Sequence, residues 1–93
     1  MGFPNKSIKY MDERIVFNQS AFRHGITEES IRHVLNRPGY EGPLENDETK
    51  YIVLGFDNSG NLLEILYNIK DEGTVYVFHA MKCRGIFLHL LNI

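Results

Sequence analysis

From residue 51 onward the chain runs through three stretches of alternating or apolar positions, separated by turn-forming clusters. Residues 51–56 are β-branched and aromatic enough for a strand. Asp57-Asn58-Ser59-Gly60 is a strong turn signal, because Asp and Asn bond their own backbone and Gly tolerates positive φ. Residues 62–69 predict a second strand, Lys70-Asp71-Glu72-Gly73 a second turn, and residues 74–81 a third strand. Short turns between consecutive strands imply antiparallel neighbours, so a three-stranded meander is expected from about residue 49 to 81.

Strict alternation sorts the faces of these strands. Leu63, Ile65, Tyr67 and Ile69 share one face of the second strand, and Leu62, Glu64, Leu66 and Asn68 the other. In the third, Val75, Val77, His79 and Met81 oppose Thr74, Tyr76, Phe78 and Ala80. Neither strand has a clean polar face, which predicts helices on one side of the sheet and a C-terminal segment or a partner on the other.

The first half of the chain has a helical period. Asn18 is a candidate N-cap for a short helix through His24, with Gly25 as its stop. Thr27 caps a second helix, with Glu28 and Glu29 in its first turn. Ile31, Val34 and Leu35 form its one-sided apolar stripe, and Pro38 ends it. Residues 8–17 are ambiguous between strand and helix, residues 1–7 suggest a loose lead-in, and residues 38–48 suggest a mobile polar loop. Residues 86–91 are expected to form a short apolar docking helix. The fold class is therefore α+β: two N-terminal helices, a three-stranded antiparallel meander and a short C-terminal helix, in a single domain of 93 residues.

Composition narrows the setting. No apolar run approaches the roughly 18–20 residues a membrane span needs, and the first residues carry no hydrophobic signal core. A lone cysteine, Cys83, excludes an internal disulfide, so the reduced cytoplasm is the expected location. Net charge is −2, which does not advertise nucleic-acid binding. Its distribution is uneven: residues 1–37 carry six Lys/Arg against four acids, residues 38–72 two against eight, and residues 73–93 two against none. If the two ends meet in space, a cationic patch forms beside an acidic loop. The alternative is a scattered, solvated surface.

No phosphate-cradling Gly-rich loop and no metal-ligand spacing is present. His24, His33, His79 and His89 fall in separate elements, so neither a metal nor a cofactor is expected. Two basic clusters remain: Arg23-His24-Gly25 at the end of the first short helix, and His79-Ala80-Met81-Lys82-Cys83-Arg84 at the end of the third strand. Such groups suffice for RNA cleavage without metal. Histidines can deprotonate a ribose 2′-hydroxyl and protonate the leaving 5′-oxygen, while Arg and Lys stabilise the phosphorane. Each residue also has a plain structural role beside this one: His24 as a cap, His79 as a hydrogen-bonded sheet histidine, Lys82 and Arg84 as a solvated strand end.

The run from Asn18 through Arg23-His24-Gly25-Ile26-Thr27-Glu28-Glu29, then a helix, a polar loop and a meander containing Asn61-Leu62-Leu63-Glu64-Ile65, resembles the BrnT-like toxins. Those show a Lys-His-Gly-Ile segment opening into a helix with a Glu-Glu pair, then three strands, the last running into a basic segment. Here that segment is Phe78-His79-Ala80-Met81-Lys82-Cys83-Arg84, and the resemblance spans roughly residues 12–84. It implies a RelE-like fold and an endoribonuclease, the toxin of a type II toxin–antitoxin pair, whose partners are RNA and a cognate antitoxin. Arg23 would bind substrate, and His24, Lys82 and Arg84 would be catalytic, with His79 added from the chemistry above. The chain departs from that family in being acidic and in ending on an apolar tail. The competing expectation is a non-catalytic module that dimerises or binds a protein through its sheet face and that tail.

Overall fold

The computed structural model describes residues 15–45, 47–70 and 73–92. Among the described residues five strands form one sheet: β1 (Ile15–Phe17), β2 (Tyr40–Leu44), β3 (Asp47–Phe56), β4 (Leu62–Lys70) and β5 (Thr74–Lys82), in the order β1-β5-β4-β3-β2. Strand β1 runs parallel to β5, and the other neighbours are antiparallel. Between β1 and β2 lie a 3-10 helix (Gln19–Phe22) and the helix α1 (Glu28–Asn36), and a second 3-10 helix (Gly85–Leu91) follows β5.

Local chemistry places these elements. Asn18 Oδ1 accepts from the Ser20 amide at 3.0 Å and opens the first 3-10 helix. Gly25, at φ +81°, lets the chain turn away from it. Thr27 Oγ1 accepts from the Ser30 amide at 3.1 Å and caps α1. In the turn after β3, Asp57 Oδ1 accepts from the Ser59 and Asn61 amides at 2.9 and 2.8 Å.

The sheet carries a core on each face. On one, Ile31, Val34 and Leu35 of α1 pack against Val53, Leu63, Ile65, Tyr67, Val75, Val77 and Ala80. On the other, Ile52, Leu54 and Leu66 are covered by Phe87, Leu90 and Leu91 of the C-terminal 3-10 helix. The chain is thus helix, sheet and 3-10 helix in three layers.

This architecture overturns the expected one of two N-terminal helices, a three-stranded meander and a RelE-like arrangement. The sheet is mixed and five-stranded. The stretch expected to be a polar loop, residues 38–48, instead contributes β2 and the start of β3. Strand β2 lies at the sheet edge, where Pro43 can stand without breaking an interior ladder. The first expected helix is a single 3-10 turn, and residues 15–17 of the ambiguous stretch are a strand. The expected lead-in over residues 1–7 and the rest of the ambiguous stretch lie outside the described residues.

One irregularity decides which face His79 occupies. Leu66 pairs with His79 but Tyr67 pairs with Val77, so Phe78 is an extra residue in β5. This bulge reverses the alternation. Ala80 joins Val75 and Val77 in the core under α1, and His79 moves to the face of Leu66 and Glu64. Strict alternation, which grouped His79 with Val75 and Val77, is corrected by that one insertion.

Candidate functional site

Strand β4 is so apolar that both of its faces are buried from Leu63 to Tyr67, and Glu64 sits among them with 0% side-chain exposure. A bare carboxylate there would cost several kcal/mol. It is stabilised by donors converging from β5 and the chain beyond it. The Arg84 amide donates to Oε1 at 2.8 Å. The guanidinium donates from Nε to Oε1 and Oε2 at 3.2 and 3.0 Å and from Nη2 to Oε2 at 2.6 Å. His79 Nε2 completes the set at 2.8 Å from Oε2. Burial pushes the Glu64 carboxyl up, but the bonds from Arg84 and His79 outweigh it and hold the group below its ordinary range. The same contact with Glu64 raises the Arg84 guanidinium further.

His79 reaches Glu64 because the bulge places it opposite Leu66, diagonal to Glu64 across the β4–β5 ladder. Arg84 reaches it because pairing of β5 runs on to the Cys83 amide, which donates to Leu62 O at 2.9 Å, and the chain then turns into the C-terminal 3-10 helix. The Arg84 guanidinium lies 5.5 Å from the Phe87 ring centre and keeps 47% of its side-chain exposure.

The N-terminal half meets this cluster at the edge of β5. Strand β1 stops at Phe17, and the Asn18 amide donates to Val77 O at 2.9 Å. Past that point the 3-10 helix takes over, with Ser20 Oγ donating to the bulged Phe78 carbonyl at 2.6 Å. His24, just beyond that helix, comes edge-on to His79, with ring centres 5.6 Å apart and planes at 72°. Two imidazoles from sequence-distant segments therefore share one corner with a guanidinium. Searches of family models, curated proteins and solved structures found no match for this chain.

The residues expected from sequence are not all brought together. His24, His79 and Arg84 converge. Arg23 closes the first 3-10 helix, its amide donating to Ser20 O at 3.3 Å, and its side chain is exposed. Lys82 pairs with Leu63 in the ladder and takes no part in the bonds around Glu64. Glu64 is the residue that sequence reasoning placed on a face without giving it a role. The available signal was an acid inside Leu62-Leu63-Glu64-Ile65-Leu66, a strand with no polar face.

The cluster has the chemistry of a small acid–base site. A neutral imidazole can take a proton, a protonated one can give it, and a fixed guanidinium can hold an anionic oxygen. Cys83 beside it is not an activated thiol, because burial and then the Glu64 charge raise its pKa. Among the described residues no three His, Cys, Asp or Glu side chains are grouped to hold a metal ion, and no helix is long and apolar enough to cross a membrane.

Proposed function

We propose that this chain is an endoribonuclease that cleaves RNA without metal, acting in the cytoplasm as the toxin of a type II toxin–antitoxin pair. The observation that supports this is the approach of His24 to His79 beside Arg84. In the reaction, one imidazole accepts the proton of a ribose 2′-hydroxyl as that oxygen bonds to phosphorus. The P–O5′ bond breaks, and the other imidazole protonates the departing 5′-oxygen. Products are a 2′,3′-cyclic phosphate and a 5′-hydroxyl end. Arg84 faces the charge that builds on the phosphorane. The resemblance of residues 12–84 to BrnT-like toxins supports the same reading, with an antitoxin that covers this corner as the natural inhibitor.

One observation favours the second reading, a non-catalytic module. Ile86 and Leu88 project from the C-terminal 3-10 helix, Ile86 with 66% exposure, and offer apolar surface to a partner or a second copy. Induced expression separates the two. An active toxin arrests growth, and His24→Ala relieves the arrest at equal protein level. Unimpeded growth at high expression of the wild type would favour the module.

A further inference from the structure

The two imidazoles are not equivalent. His79 is bonded to a carboxylate, while His24 meets it through a ring contact alone. Glu64 is ionised, so it can only accept, and the 2.8 Å contact requires that Nε2 of His79 carry the hydrogen. In a neutral imidazole the lone pair then lies on Nδ1. The carboxylate cannot rotate to relax this choice. Its two oxygens are held by Nε, Nη2 and the backbone amide of Arg84, in a position without solvent exposure. His79 keeps 19% of its side-chain exposure, and its remaining polar atom is Nδ1.

We propose that Glu64 is a positioning residue that assigns the roles of the pair: it locks His79 in the Nε2–H form, making Nδ1 the base for the 2′-hydroxyl and leaving His24 as the acid for the 5′-oxygen. The division of labour rests on the ribonuclease reading, whereas the locked form does not. The 2′-O–H bond breaks and its proton goes to Nδ1 while the 2′-oxygen bonds to phosphorus. The P–O5′ pair leaves with oxygen, which takes the proton from His24. His79 ends cationic against the Glu64 carboxylate, which stabilises it as that charge forms. Solvent then removes the proton from His79 and restores one to His24. An Arg–Glu pair serving only to pin the C-terminal 3-10 helix has no need of the histidine contact.

Nitrogen NMR of the full chain, labelled with ¹⁵N-histidine, tests the assignment without depending on activity. The wild type should show, for neutral His79, a protonated Nε2 and a bare Nδ1. Glu64→Gln should give a mixture of the two forms, with cleavage slowed about 10–100-fold, KM changed much less, and partial recovery in Glu64→Asp. A wild-type His79 protonated on Nδ1 overturns the proposal, and that result needs no variant to fold. So does an unchanged form in a folded Glu64→Gln protein. A locked Nε2–H form in a protein that does not cleave RNA overturns the ribonuclease reading and the roles drawn from it, and leaves the positioning by Glu64 in place.

Discussion

Removing Arg84 would leave the Glu64 carboxylate buried with His79 as its remaining side-chain donor, whereas removing Glu64 leaves Arg84 half in water. The two truncations should therefore differ. Arg84→Ala is expected to cost about 3–5 kcal/mol, as for an uncompensated buried charge, and Glu64→Leu about 1 kcal/mol or less. The double variant should recover most of the Arg84→Ala loss, which urea unfolding midpoints of all four proteins will measure. Equal costs for the two single variants would contradict this account of the pair. Acid provides a second check. The Glu64 carboxyl sits below its ordinary value of 4.5 in the fold, so between the two values the unfolded chain binds more protons. Its stabilisation is full above about pH 4.5 and is lost as pH falls through the folded value. Unfolding midpoints of wild type should fall with acidification more steeply than those of Glu64→Leu.

At the scale of elements, the site depends on two features that strand counting does not show. Strand β1 ends at Phe17, and that end leaves the β5 edge to a 3-10 helix anchored by Ser20 on the bulged Phe78 carbonyl. Ser20→Ala removes that bond and should cost about 1 kcal/mol in unfolding free energy. The NMR cross-peaks expected between the His24 and His79 rings should weaken with it. Unchanged cross-peaks would show that the 3-10 helix needs no such anchor. These features also mark how much was legible in the sequence. The turn over residues 57–60, the caps Asn18 and Thr27, and the stripe of Ile31, Val34 and Leu35 are local signals, and the chain follows them, while the turn expected over residues 70–73 lies partly outside the described residues. Strand β2 was hidden because Gly39, Gly42 and Pro43 are turn formers, and its pairing with β3 is a tertiary effect. The bulge was hidden because Phe78-His79-Ala80 continues an acceptable strand pattern in either register. Since the bulge decides the face of His79, the site was legible as a list of residues and not as a place.

Over the whole molecule, a net charge of −2 masks a local asymmetry. The corner formed by His24, His79 and Arg84 is drawn from the two parts of the sequence with a basic excess, while β2, β3 and β4 fall in the acidic part. The Glu64 carboxylate offsets the Arg84 charge internally, which lowers the net positive charge of the corner. The C-terminal 3-10 helix ties the Arg84 corner to the sheet. It buries Phe87, Leu90 and Leu91 against the sheet and starts from Arg84. The most direct test of the account is cleavage of single-stranded RNA by the purified protein, with the ends of the products identified. Wild type should yield 2′,3′-cyclic phosphate and 5′-hydroxyl ends, and His24→Ala and His79→Ala should each lose about 10²–10⁴-fold in rate. Intact RNA after prolonged incubation with folded wild type, or cleavage unaffected by both substitutions, would contradict it.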